Sequence, residues 1–367
     1  MHKLYLKNYD KSLIIAICIC VIFGVFMVFS SSTIMADVRW ASPYKFFLKQ
    51  ILWVVLGFLA MFITAFLINY KFYKKYAKLI YLFSLIFVII VLFVGTQRLG
   101  ARRWFGVSYF TIQPSELAKL AIIIFTSSFI SHRKKILYQW KELLSFIFAV
   151  FFIIFPILLE PDLGTPILIV TVCFAMVFCA GIKMQAIFLG ISVIPILLII
   201  EIIRKPYRFI RLKDYFVSFT NIEASSYQVR QSLNALGSGG FFGKGLGKSE
   251  MKLMYLPEAH TDFIFPIIGE ELGFFGTAIV VLFFVYLFFK GIKMSQYMPD
   301  IFSHYLCLGI TFLIVFEAII NFFVATGLLP TKGLPLPFIS FGGTSLVVTM
   351  AASGILINLS QYYKKLI

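Results

Sequence analysis

Acidic side chains are scarce in this 367-residue chain: 16 Asp and Glu stand against 33 Lys and Arg, and charged residues of both signs make up only 13% of it. Set against 60% hydrophobic residues and 44 Phe, that scarcity excludes a water-soluble globular domain, because no core of this size could bury so much apolar surface. Cysteine is sparse too, and Cys18, Cys20, Cys173, Cys179 and Cys307 all lie inside apolar runs rather than at paired loop positions. They read as small buried hydrophobes, so neither a disulfide framework nor a cysteine metal site is implied. The net charge of +17 does not point to nucleic acid, since the basic residues form short clusters between apolar runs, where anionic lipid headgroups are the simpler partner.

What the chain has in abundance is long apolar runs. At about 20 residues per crossing, spans are expected near 12–31, 50–69, 78–97, 114–131, 143–160, 163–181, 186–203, 263–289, 304–326 and 339–360. The expected architecture is an all-α polytopic membrane protein with ten transmembrane helices, forming one membrane domain over 1–367. Residues 12–36 carry no charge, a run long for a signal-peptide core, so a retained first span is expected. With the N-terminus cytoplasmic, the inner segments hold 16 Lys and Arg and the short outer loops only seven, which places both termini inside. A long extracytoplasmic loop, 204–261, then joins helices 7 and 8. Its nine basic residues do not count against this orientation, because long loops escape the charge rule. Within it, Tyr227–Leu236 has the spacing of an amphipathic surface helix.

Ionisable groups at or inside apolar runs mark functional sites by default. Tyr255-Leu-Pro-Glu-Ala-His-Thr-Asp-Phe-Ile-Phe265 carries His260 and Asp262 directly into the eighth span. In an unbroken helix Pro266 would deny the Asp262 carbonyl its hydrogen bond, so Asp262 is expected on unwound or just-starting helix. Glu270 and Glu271 follow two turns deeper. Glu116 and Lys119 share one face of the fourth span, as an inert pair or as a cavity wall, and Glu317 interrupts the ninth. Asp162, in Glu160-Pro-Asp-Leu-Gly164, sits either at the water or beside a backbone opened by Gly164 and Pro166. Arg98, Arg102 and Arg103, followed by Trp104, form either a surface patch or a cationic rim for a phosphorylated lipid.

Two glycine-rich segments are irregular. In Gly237–Ser249 a phosphate-cradling loop would need Gly at 242, which is Phe, and a preceding strand is missing; a backbone bent to approach a ligand or another helix fits better. Residues 327–345 combine Lys332 with three prolines and four glycines, too broken for a helix and too apolar for a loose loop. A re-entrant segment lining a protein-walled cavity satisfies both constraints.

Arg103-Trp104, Gln113-Pro-Ser-Glu-Leu-Ala-Lys119, Glu160-Pro-Asp-Leu-Gly-Thr165, Gly243–Ser249, Lys252 with Leu256–Phe265, Gly269-Glu-Glu-Leu-Gly273 and Leu329–Ser340 together resemble the SEDS family (shape, elongation, division and sporulation) in order and spacing over nearly the whole chain. Pro-Glu-Ala-His-Thr-Asp262 and Ile268-Gly-Glu-Glu-Leu-Gly273 resemble the division-associated branch more than the elongation-associated one. Pro266, Phe323, Phe341 and Thr344 depart from the family pattern.

The resemblance implies a peptidoglycan glycosyltransferase that polymerises lipid II into a growing glycan strand. It also implies a cytoplasmic-membrane location, at the septum for the division branch, beside a class B penicillin-binding protein and other divisome or elongasome membrane proteins. It places Asp262 on the essential carboxylate, here expected to act as a base with inversion at the donor carbon. Lys332, Lys252, Arg102, Arg103, Arg208 and Arg211 are expected around the diphosphates, and His260, Asp162 and Gln231 around the substrate. Glu116, Lys119, Glu270, Glu271 and Glu317 are expected to make the cavity polar. Mg²⁺ or Mn²⁺ is expected to assist, with no spacing that specifies its ligands. A lipid II flippase and a non-catalytic scaffold for the transpeptidase are the alternatives.

Overall fold

The computed structural model describes residues 9–98, 101–106, 111–132, 140–160, 162–181, 215–217 and 226–364. The apolar runs become helices because a backbone in hydrocarbon must satisfy its own hydrogen bonds. In chain order they are α1 (Lys11–Trp40), α2 (Lys45–Phe62, ending in a π turn over Ile63–Leu67), α3 (Tyr70–Val94), α4 (Pro114–His132), α5 (Trp140–Leu159), α6 (Gly164–Cys179), α7 (Tyr227–Ser238), α8 (Ile264–Gln296), α9 (Ile301–Ala325) and α10 (Thr344–Lys364). Among the described residues, eight of these are long and apolar enough to cross a membrane; α6 is apolar but shorter, and α7 is the amphipathic helix expected from the sequence. The chain therefore has a mostly helical, polytopic membrane fold. The expected span 186–203, with Arg208 and Arg211, lies outside the described residues.

Two features differ from expectation. α1 continues to Trp40 instead of ending near 31: the hydroxyls of Ser31 and Thr33 turn back onto the Val28 and Phe29 carbonyls of the same helix, and it stops only where Ala41 takes a left-handed conformation and its N–H caps the Asp37 carbonyl. After α3 the chain forms a small antiparallel hairpin, β1 (Thr96–Arg98) with β2 (Ala101–Trp104), where only a loop was expected.

The bundle has two chemically distinct ends. At one, Asp10 caps α1 and pairs with Lys290 of α8 at 2.6 Å, while Asp300 and Ser303 cap α9 reciprocally. At the other, the starts of α4, α6 and α8 meet the end of α9. Helices α4, α9 and α10 are enclosed by protein, whereas α1, α2, α3 and the second half of α8 turn wide apolar faces outward.

Helix α8 is broken at Gly273 (φ 69°), and the glycine-rich segment repairs the break. The carbonyls of Glu270 and Glu271, which in an unbroken helix would bond the amides four residues on, instead accept from Lys244 N and Gly245 N, both at 2.9 Å. The amides of Phe274 and Phe275 donate to the Gly240 and Phe241 carbonyls at 2.9 and 3.3 Å. Gly243 and Gly273 lie backbone to backbone, with no room for a Cβ on either. Thus the segment read as glycine-bent does approach another helix.

Residues 327–343 form no helix, yet Leu334, Leu336, Phe338, Ile339 and Ser340 are buried. A Cβ at Gly24, midway along α1, would lie 2.6 Å from the Phe338 carbonyl, so the segment reaches deep between helices. Its polar backbone is met internally: Ser340 Oγ accepts from Leu336 N at 2.8 Å and donates to Thr261 O at 2.6 Å, and Phe341 N donates to His260 O at 2.9 Å.

Candidate active site

Pro266 falls in the first turn of α8, where its missing N–H costs no hydrogen bond, and the helix starts only at Ile264. Asp262 therefore sits on the turn before the helix, partly buried, as its sequence context requires. The side-chain amide of Asn321, near the end of α9, donates to the Asp262 carbonyl at 2.9 Å and to the Leu334 carbonyl at 2.8 Å. One buried amide thus ties the Asp262 turn to the segment carrying Lys332. Gly333 lies over the carboxylate: a Cβ there would sit 3.1 Å from Asp262 Oδ2.

Among the described residues, no side chain pairs with or hydrogen-bonds the Asp262 carboxylate. Burial pushes it up to about 7 from an ordinary 3.8, and the carboxylates of Glu258 and Asp162 push in the same direction. Lys332 is shifted the opposite way, down to about 8, by burial; the Asp162 charge opposes that shift. Both shifts move these groups toward neutral pH, the pattern that marks candidate functional sites.

Asp162 is itself occupied. Its carboxylate caps α6, accepting from Gly164 N at 2.9 Å, Thr165 N at 3.2 Å and Thr165 Oγ1 at 2.8 Å. Neighbouring Glu160 is buried, with neither carboxyl oxygen hydrogen-bonded among the described residues; burial and Asp162 raise it to about 9, against the opposing charge of Arg103. One helical turn from Asn321, Glu317 accepts from Lys119 Nζ at 2.8 Å, and Lys119 also pairs with Glu116 at 2.8 Å. All three are buried, so the pair foreseen in the fourth span is a three-member network reaching α9.

Other residues expected at the site are engaged by protein partners. Lys252, expected at a diphosphate, is buried against Glu271 at 2.9 Å, and Glu271 also accepts from Ser30 Oγ at 2.7 Å. Glu270 accepts from Lys244 Nζ at 2.9 Å, Ser249 Oγ at 2.5 Å and Glu250 N at 3.0 Å. Instead of lining a cavity, Glu270 and Glu271 hold the glycine-rich segment on α8, because the break at Gly273 brings these lysines onto them. His260 packs between Phe46 and Phe341, with ring centroids at 4.6 and 5.7 Å, and burial lowers it to about 4, so it is neutral at physiological pH. Arg102 donates to the Phe93 carbonyl at 3.1 Å and Arg103 to the Glu160 carbonyl at 2.6 Å, joining the hairpin to α3 and to the α5–α6 turn. Gln231 lies on α7, which docks on the end of α9 through Ser232 Oγ to Ala325 O at 2.5 Å.

Residues 10–365 match the cell cycle protein family that groups FtsW, RodA and SpoVE. The chain belongs to this family. Stage V sporulation protein E of Bacillus subtilis (strain 168) is 37% identical over 360 residues, covering 96% of this chain and 97% of that protein. Probable peptidoglycan glycosyltransferases FtsW of Geobacter sp. (strain M18) and Buchnera aphidicola subsp. Baizongia pistaciae (strain Bp) are 36% and 38% identical, covering 96% and 99% of this chain and 97% and 98% of theirs. The recurrence of FtsW among the relatives agrees with the resemblance to the division-associated branch. In fold the chain is similar to a chain from a peptidoglycan synthase complex (TM-score 0.78, 23% identity, 96% and 97% covered) and to Thermus thermophilus RodA (TM-score 0.72, 24% identity, 97% of each).

Within this FtsW–RodA–SpoVE fold, Asn321 is the residue that sequence reasoning missed. A second polar group one turn after Glu317 in the ninth span was the available signal.

Proposed function

We propose that this protein is a peptidoglycan glycosyltransferase that polymerises lipid II at the outer face of the cytoplasmic membrane, in septal wall synthesis beside a class B penicillin-binding protein. One observation carries the reading: the Asp262 carboxylate, which pairs with no side chain among the described residues and is raised to about 7, stands at the start of α8, tied through Asn321 to the end of α9 and covered by Gly333. Such a group is matched to general-base work at neutral pH. The FtsW relatives supply the reaction class.

In this reading Asp262 takes the proton from the attacking sugar hydroxyl as that oxygen displaces the lipid diphosphate, inverting the donor carbon. Lys332 meets the developing negative charge of the diphosphate, with Arg208 and Arg211, which lie outside the described residues, as further candidates for that role. Asp162 keeps Lys332 protonated and Asp262 basic. The Glu116–Lys119–Glu317 network holds polarity beneath the site. Mg²⁺ or Mn²⁺ is proposed to assist at the substrate diphosphate, a mode that asks for only one or two protein carboxylates; among the described residues no three His, Cys, Asp or Glu side chains gather as a metal centre. The steps above are derived for the chain's own groups.

The same proposal places both termini in the cytoplasm, a seventh span at 186–203 to complete ten, the 204–261 loop outside and 327–345 as a re-entrant segment, all within one domain over 1–367. The test is polymerisation of labelled lipid II in detergent by the purified protein with its cognate class B penicillin-binding protein. Products longer than the input disaccharide support the proposal; disaccharide alone, under conditions where the pair is folded and bound, favours a flippase or scaffold.

A further inference from the structure

The glycine-rich segment carries a surface feature that the chemistry at Asp262 does not use. Phe241 and Phe242 are 69% and 82% exposed, and they extend beside the exposed Phe274 and Phe275 of α8, with ring centroids 6.1 Å (241–274) and 5.3 Å (242–275) apart. Exposed Leu246 and Lys248 follow on the same segment. In water, so large a contiguous aromatic patch would be a liability.

Below Phe275 the exposed face of α8 continues through Ile279, Leu282, Val285 and Phe289, at helical spacing, to Lys293. From Phe274 to Lys293 the helix rises about 28 Å, at about 1.5 Å per residue, close to the hydrocarbon thickness of about 30 Å. The aromatic patch therefore sits where one headgroup layer begins when Lys293 reaches the other. Aromatic rings favour that level, and a neighbouring lysine complements lipid phosphates.

We infer that Phe241, Phe242, Phe274 and Phe275 form an interfacial anchor that seats the glycine-rich segment in the headgroup region of a phospholipid bilayer. The anchor is stiff, because the segment completes the broken hydrogen-bond ladder of α8 and is clamped by Lys244 on Glu270 and Lys252 on Glu271. Residues 249–262 run from this clamp to Asp262, so the anchor fixes the height of that carboxylate relative to the membrane surface.

The test uses Phe242→Trp and, one level down, Ile279→Trp, each compared with the parent chain in nanodiscs of phosphatidylcholine brominated at shallow or deep acyl positions. For Phe242→Trp the added fluorescence is expected to be quenched about twofold more by shallow than by deep bromines, as for an interfacial indole. Ile279→Trp, about 6 Å deeper than Phe275 by helix rise, should be quenched more by deep bromines. Stronger deep quenching at 242 overturns the interfacial placement. A water-like emission at 242 that neither bromine quenches, with Ile279→Trp quenched normally, assigns the patch to a protein partner and overturns the inference. Neither outcome depends on whether the protein polymerises lipid II.

Discussion

Replacing Asp262 with Asn should raise stability at about pH 8 while removing the base. Burial and the two neighbouring carboxylates hold this acid at about 7 in the fold, against an ordinary value of 3.8 for the unfolded chain. An acid whose pKa is raised by folding opposes folding once the unfolded chain ionises. The cost is negligible below about pH 3, grows as pH rises, and is fully present above about pH 7. Roughly three units at about 1.4 kcal/mol each set a ceiling near 4 kcal/mol. Because the carboxylate is only partly buried, solvent screening reduces this to about 2 kcal/mol. Asn is nearly isosteric and cannot ionise, so that amount is recovered. Thermal unfolding of parent and variant in the same detergent should give a higher midpoint for Asp262→Asn by a few degrees at about pH 8, and no difference at or below about pH 3. An equal midpoint at about pH 8, or a gain that persists at low pH, would refute the assignment of a raised, unpaired carboxylate.

The pH dependence of polymerisation should be bell-shaped, because Asp262 must be ionised and Lys332 protonated, with limbs at about 7 and about 8. At substrate well below saturation, where the rate reports the free enzyme, going from about pH 7 to about pH 6 should cost roughly fivefold; a flat profile there contradicts the pairing of roles. Asn321→Ala removes the tie between the Asp262 and Leu334 carbonyls, and should lower kcat about tenfold with KM little changed. Lys252→Met leaves Glu271 buried without its cation and should destabilise by about 3–5 kcal/mol, most of it restored in Lys252→Met/Glu271→Leu, as read by thermal unfolding.

The spans were legible because an apolar run of about 20 residues has one solution in hydrocarbon, a helix. Asp262 was legible as a pre-helical carboxylate for a local reason: Pro266, four residues on, fixes where α8 can begin. The pairing of Lys252 with Glu271 was not, because it depends on the break at Gly273 and on a chain reversal that no local pattern encodes. The capping role of Asp162 was half visible, since a helix start and a solvent-facing acid look alike in sequence until the backbone direction is known. The hairpin at 96–104 was hidden by its length, too short for alternation to register against the α3 run. Asn321 needed two partners from distant segments, and only the fold brings them together.

The most direct test of the central claim is single-turnover polymerisation of labelled lipid II by the protein together with the class B penicillin-binding protein proposed as its partner, parent against Asp262→Asn, with both confirmed folded and membrane-inserted. Loss of the carboxylate should abolish chain growth, a fall of at least about a hundredfold for a general base, while complex formation stays intact. Polymer made by Asp262→Asn at close to the parent rate would contradict the account.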